Sequence, residues 1–211
     1  MHANEDGRRR GINPFEHGES YTTIMRTDPL KEALDQHRFD VIFGGARRDE
    51  EKARAKERIV SVRDAKHGWD PRRQRPELWR LFNWEIDRGE SIRAFPLSNW
   101  TEADLWIYIV ARGVALAPLS AAAERPVVER DGTLLVVDDP ERMPWQPGEV
   151  ARPESVRFRT LGCWPVTGAV RSNAVHPLDI MRETLAAPSS ERMGRTGDAG
   201  SLESQKRAGY F

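Results

Sequence analysis

Hydrophobic and polar positions follow several distinct rhythms along the chain. Phe39-Asp40-Val41-Ile42-Phe43 is a short apolar run closed by Gly44-Gly45, which predicts a buried strand. Upstream, Leu30, Ala33 and Leu34 recur at helical spacing after Asp28-Pro29. An N-cap followed by proline at the first helical position places a helix from there to about His37. Residues 1–27 read as irregular, because Asn4, Asp6, Gly7, Gly11, Asn13, Pro14 and Gly18 interrupt any period. Asp49 to Arg58, rich in Ala, Glu, Lys and Arg, predicts a second helix. Residues 61–90 read as a long loop with short helical pieces, carrying Trp69, Trp79 and Trp84 among many charges.

The second half of the chain is more regular. Ile92 to Leu97 predicts a strand that ends at Pro96. Next comes the clearest helix. Thr101 caps it, Asp104 lies three residues on, Leu105, Tyr108 and Ile109 share a face, and Gly113 stops it. Val127-Val128-Glu129 and Thr133 to Val137 flank Asp131-Gly132, a strong hairpin signal. Residues 138–155 read as a Pro-rich loop, and Pro177 to Ala187 as a modest amphipathic helix. Beyond Pro188 the residues are Gly, Ser and charge, expected to be mobile or ordered only by a partner. Two domains are expected, residues 1–120 and 121–211.

Composition narrows the function. The 211 residues hold 33 positive and 33 negative charges, a formal net charge of zero. Arginine supplies 28 of the 33 positive charges. Its planar fork suits phosphate, sulfate and carboxylate. The neutral total argues against broad nucleic-acid binding. Apolar runs fall far short of the ~20 residues a membrane span needs. Met1 to Arg10 is nearly all polar, so no secretory signal is visible, and a cytoplasmic protein without a membrane partner is expected. One cysteine excludes a disulfide scaffold and any zinc or iron–sulfur site built from several local cysteines. Cys163 reads as a small buried hydrophobe. The five histidines show no metal spacing, and no metal ligand is assigned.

The segment around Gly44-Gly45 carries the most suggestive chemistry. A strand leads into two glycines, then Arg47-Arg48, then a helix. Glycines let backbone approach a ligand, and a helix N-terminus with two arginines attracts an anion. Neither a Walker A sequence nor a GxGxxG fingerprint is present. Gly44, Gly45, Arg47 and Arg48 are therefore the candidate nucleotide- or sulfate-facing residues. Arg157 and Arg159 alternate with Phe158 and either face the anion site from one side of a strand or face solvent. Trp100 and Trp106 read as core packing or as adenine contacts.

A resemblance extends these readings. Gly11-Ile-Asn-Pro-Phe15, Phe43-Gly-Gly-Ala-Arg-Arg-Asp-Glu-Glu-Lys52 and Arg54-Ala-Lys-Glu-Arg58 resemble stretches of the small subunit of bacterial heterodimeric sulfate adenylyltransferase. So do Gln74-Arg-Pro-Glu-Leu-Trp79, Phe95-Pro-Leu-Ser-Asn-Trp-Thr-Glu102, Ala123-Glu-Arg-Pro126, Arg157-Phe-Arg-Thr-Leu-Gly-Cys-Trp-Pro165 and Lys206-Arg-Ala-Gly-Tyr-Phe211. That family is grouped with the PAPS reductases and adenine-nucleotide α-hydrolase-like proteins. The resemblance implies an α/β fold: a partial doubly wound parallel sheet with helices on both faces, plus a C-terminal hairpin and loop-rich extension. It implies ATP and sulfate as substrates, adenosine 5′-phosphosulfate and pyrophosphate as products, Mg²⁺ with the ATP, no iron–sulfur cluster, and a GTPase large subunit as partner. Glu50 or Glu51 then orients an arginine, meets Mg²⁺, or lies on the surface. The family's pyrophosphate loop, Ser-x-Gly-Lys-Asp-Ser, has no counterpart, since no Gly-Lys pair occurs in the 211 residues. The expectation is a chain lacking the family's first third and inactive by itself. The alternatives are a non-catalytic remnant that binds the large subunit and, with less support, a sulfonucleotide reductase. The reductases use a cysteine in a C-terminal tail, which Lys206 to Phe211 does not contain.

Overall fold

The computed structural model describes residues 4–50, 52–78, 81–141, 143–162 and 167–187. Cys163, Trp79, Glu51 and the expected mobile tail lie outside the described residues. The chain divides into two compact units, one within Met1–Trp100 and the other within Thr101–Gly197.

The first unit opens with helix where irregular chain was expected. Helix α1 (Glu5–Arg9) is capped by Asn4, whose side chain accepts from the Gly7 amide. Helix α2 (Pro14–Thr22) runs through a kink at Gly18, where φ is 48°. A π-helical turn (Thr23–Thr27) then leads straight into α3 (Asp28–His37). The glycines bend this helical stretch rather than stop it. Asp28 is consequently no N-cap: its φ and ψ are −64° and −49°, inside the helical region. Pro29 needs no carbonyl partner, and the wide π turn before it accommodates its ring.

Strand β1 (Val41–Phe43) pairs in parallel with β3 (Ser91–Ala94), with Val41 opposite Ile92. Strand β2 (Val60–Arg63) pairs antiparallel with β3 on its other side. The order is β1-β3-β2, so this sheet is mixed and only one of its two pairings is parallel. Strand β1 is at the edge and is not buried as expected: Phe43 is 71% exposed. The expected helix from Asp49 to Arg58 is a single turn, α4 (Lys52–Ala55). Strand β2 falls where a loop was expected, because its polar alternate residues, Ser61 and Arg63, mask the apolar ones. Val60, Ile92 and Ala94 form the apolar face of the sheet, backed by Val41, Ile59 and Ile86.

The second unit follows the sequence in its helices and hairpin, while a strand from Arg152 begins inside the expected loop 138–155. Helix α5 (Glu102–Arg112) starts in a full capping box between Thr101 and Asp104 and ends at Gly113 in the left-handed region, φ 59°. Its buried face, Trp106 and Ile109, packs with Ala174 and with Ile180 of α6 (Pro177–Ala186). The hairpin β4 (Ala123–Arg130) and β5 (Thr133–Val136) turns at Asp131-Gly132 with positive φ at both residues, the type I′ requirement. Strand β6 (Arg152–Arg157) pairs with β4, and β7 (Val170–Arg171) pairs with β6. Val127, Leu134, Val136, Val156 and Ala169 form the core of this sheet.

The Pro-rich loop between β5 and β6 is held by one fork. Arg130 donates from Nε to Glu149 Oε1 at 2.5 Å, and from Nη2 to Oε2 at 2.7 Å and to the Pro144 carbonyl at 2.6 Å. The Arg130 hydrogen bonds hold the Glu149 carboxyl below its ordinary value of 4.5. A carboxylate with a depressed folded pKa stabilises above its unfolded value, and that support is lost as pH falls through the folded value. The unfolding temperature should therefore drop on acidification below about pH 4.5. Thermal melts of Glu149→Gln across pH 3 to 7 should show a lower plateau and a shallower acid limb; a limb as steep as wild type removes Glu149 as a contributor.

Candidate functional site

The loop after β1 is built by backbone first. Gly44 donates its amide to the Ala94 carbonyl at 2.8 Å, extending the β1–β3 ladder by one bond. A Cβ on Gly44 would lie 2.7 Å from the Phe95 ring, so glycine here is required by packing. Gly45 meets no such neighbour within 4 Å. The Arg48 amide then donates to the Ser98 carbonyl at 2.9 Å, pinning the loop to the segment that follows β3.

The arginines of this loop are tied into the protein. Arg47 is buried, and its Nη1 lies 3.7 Å from Glu50 Oε1. The other oxygen of Glu50 is 3.0 Å from Arg54 Nε. Arg48 donates to the Glu57 carbonyl at 3.3 Å and 3.1 Å, to Glu77 Oε2 at 3.4 Å, and to the Asn99 side chain. Of the expected residues, Gly44, Gly45, Arg47, Arg48 and Glu50 thus share one loop, with Glu50 orienting arginines. The expected helix N-terminus contributes little, since α4 has four residues and a macrodipole needs a longer helix.

Behind the loop lies a buried charge cluster that the sequence reading missed. Glu57 Oε1 accepts from Arg63 Nη2 at 2.6 Å and from Ser61 Oγ at 3.0 Å. Arg63 Nη1 donates to Ser61 Oγ at 2.6 Å. Arg63 is 0% exposed, and both Glu57 and Arg93 are 4% exposed. In the β2–β3 register Ser61 faces Arg93 and Arg63 faces Ser91, so these four residues occupy one side of the sheet. Desolvation lowers the Arg63 pKa, opposed by Glu57. Desolvation and then the like charge of Arg63 lower Arg93 to about 10, again opposed by Glu57. The open edge of β2 is satisfied by side chains. Gln74 Oε1 accepts from the Val62 amide at 2.9 Å, its Nε2 donates to the Val62 carbonyl at 3.0 Å, and Glu77 Oε1 accepts from the Val60 amide at 2.8 Å.

Arg157 and Arg159 belong to the second unit and are likewise engaged. Arg157 is buried and donates from Nε to Glu183 Oε2 at 3.0 Å. Arg159 grips Glu102 with Nε at 3.3 Å and Nη2 at 2.6 Å. Phe158 packs on the sheet core between them. Among the described residues, no three His, Cys, Asp or Glu side chains converge as a metal site.

The family model for the phosphoadenosine phosphosulfate reductase domain matches residues 1–169. Sulfate adenylyltransferase subunit 2 of Methylococcus capsulatus is 60% identical over 215 aligned positions, covering all of this chain and 71% of that protein. The chain belongs to the sulfate adenylyltransferase subunit 2 family. The Acinetobacter baumannii protein of the same name is also 60% identical, with 70% of its length covered, and that of Hahella chejuensis is 58% identical with 71% covered. The mixed α/β architecture agrees with this membership.

Proposed function

We propose that this chain is the small subunit of a sulfate adenylyltransferase, which joins ATP and sulfate to give adenosine 5′-phosphosulfate and pyrophosphate. The observation that carries the reading is 60% identity across the whole chain to proteins of that name. The chemistry suits an arginine-rich unit. A sulfate oxygen attacks the α-phosphorus, so a dianion approaches a polyanion, and fixed cations and backbone dipoles stabilise the charge that develops. The loop Gly44, Gly45, Arg47 and Arg48 borders the nucleotide or sulfate in this proposal, with Glu50 setting the arginine geometry. Both Glu50 oxygens face arginines, so this carboxylate is not offered to Mg²⁺. Mg²⁺ would enter with the ATP and offset the charge of its phosphates. The partner is a GTPase large subunit, and the setting is the cytoplasm. Among the described residues no helix is long and apolar enough to cross a membrane.

The test is sulfate-dependent pyrophosphate release by the purified chain mixed with the large subunit. Release that needs both chains supports the reading. A second reading is a subunit that binds the large subunit without turnover. It is favoured by the ties of Arg47 and Arg48 to Glu50, Glu57 and Glu77, which engage these cations within the chain. A stable complex with no sulfate-dependent release would select it. Within an active complex, Arg47→Ala should weaken ATP binding by about tenfold, or roughly 1.4 kcal/mol. Titration calorimetry checks this, and equal affinity in the two proteins removes Arg47 from the site.

A further inference from the structure

Three arginines of this chain grip carboxylates in the same way. Nε and Nη2, the two donors on one edge of the fork, bind the two oxygens of Glu149 in Arg130, of Glu102 in Arg159 and of Glu154 in Arg171. Arg93 departs from this pattern. Its Nε and Nη2 are both buried and neither has a hydrogen-bond partner. Two residues back on the same face of β3, the Ser91 hydroxyl is also buried without a partner. The neighbouring carboxylate, Glu57, spends its Oε1 on Arg63 and Ser61. This face of the sheet therefore carries two guanidinium groups, Arg63 and Arg93, beside Glu57, and three buried donors that meet no protein acceptor.

Desolvated donors left unmatched are costly, and a buried charge more so. In a folded protein such groups are met by an ordered water, a bound ion or ligand, or a catalytic role. The donor geometry limits the ligand. Two parallel N–H groups take two oxygens of one anion, and the hydroxyl two residues away takes a third. A carboxylate offers two oxygens and would leave Ser91 unmet. A tetrahedral oxyanion offers all three and supplies the missing negative charge. The position fits as well. Arg93 is in register with Ile42 of β1, two residues before Gly44, at the end of the sheet where the Gly44–Arg48 loop begins.

We propose that β3 carries an oxyanion site, in which Arg93 Nε and Nη2 and Ser91 Oγ bind a sulfate or phosphoryl group. The donor set stands on hydrogen bonding and charge alone; that the ion is a substrate's sulfate or phosphoryl rests on the function proposed above. The experiment uses the full chain, with sodium sulfate, sodium phosphate, ATP, sodium acetate and sodium chloride at matched ionic strength, read by calorimetry and by the unfolding midpoint. Wild type should bind sulfate or phosphate and unfold at a higher temperature than in chloride. A response to sulfate and not to ATP identifies free sulfate as the ligand, and a response to ATP alone identifies a nucleotide phosphoryl; either supports the site. Arg93→Met should lose the response and unfold at a higher temperature than wild type in chloride, because its buried charge is gone. Ser91→Ala, a milder change, should bind about tenfold more weakly. No response in wild type to sulfate, phosphate or ATP, a response to acetate equal to that for sulfate, or a full response in both variants would overturn the proposal. Binding is measured without turnover, so an oxyanion bound by a chain that yields no adenosine phosphosulfate keeps the site and discards only the function.

Discussion

Glu57→Ala is expected to destabilise the first unit by about 3–5 kcal/mol, the cost of breaking a buried ion pair from one side. Set against a typical total of about 5–15 kcal/mol, that leaves the unit marginal or unfolded. The reason is local and can be followed atom by atom. Glu57 Oε1 is the acceptor for Arg63 Nη2 at 2.6 Å and Ser61 Oγ at 3.0 Å. Arg63 is 0% exposed, so water cannot replace the lost carboxylate. Arg93 lies across the same face and also depends on Glu57, which offsets the repulsion from Arg63. Removing one acid thus strands two buried cations. Glu57→Gln keeps an acceptor oxygen but loses the charge, and should fall between Ala and wild type. Arg93→Met in the Glu57→Ala background should recover part of the loss, because it removes one of the two stranded charges. Urea unfolding followed by circular dichroism measures all four proteins. A change below about 1 kcal/mol in Glu57→Ala, the range of an exposed pair, would falsify the buried-cluster account.

That cluster also shows where sequence reading stops. Local signals survived well: Thr101 and Asp104 form the capping box their spacing implies, and Asp131-Gly132 makes the hairpin turn. Each depends on residues within a few positions, whose energetics the sequence displays directly. The charged interior depends on register. Ser61-Val62-Arg63 and Ser91-Ile92-Arg93 repeat one pattern, Ser-x-Arg around an apolar residue, 30 positions apart. Only pairing of β2 with β3 reveals that both patterns face the same way. The alternation itself was a usable signal for strands, but a polar residue on every second position reads as a solvated loop. The glycine-arginine loop was located correctly along the chain, yet its chemistry was not legible. Whether Arg47 and Arg48 point to a ligand or to Glu50, Glu77 and Asn99 is decided by residues up to 51 positions away. Helix α1 and the helical stretch from Pro14 to Thr27 were missed for a related reason. Gly7 is buried against Ile24 and Met25, so this glycine allows two helical stretches to approach.

Trp106→Ala is expected to cost about 3–5 kcal/mol in the second unit, the usual range for a large aromatic cut from a core. Trp106 is 5% exposed and sits among Ile109, Ala174 and Ile180, with Leu105, Leu116 and Met181 around them. Nothing polar in this set can collapse into the space, and α5 is held at both ends by its capping box and by Gly113, so relaxation is limited. Trp106→Phe retains most of the apolar surface and should cost less than half as much. The pair of variants also decides between the two roles open to this tryptophan. If Trp106 is core, Trp106→Phe lowers the unfolding midpoint and leaves ATP affinity in the complex unchanged. If it stacked on adenine, Trp106→Phe would weaken ATP binding at little cost in stability. Hydrogen exchange at the α5 amides gives the local reading: exchange in Trp106→Ala should accelerate by a factor of about 100 or more, the kinetic image of roughly 3 kcal/mol. Wild-type protection in Trp106→Ala would mean that the α5–α6 contact does not depend on this ring.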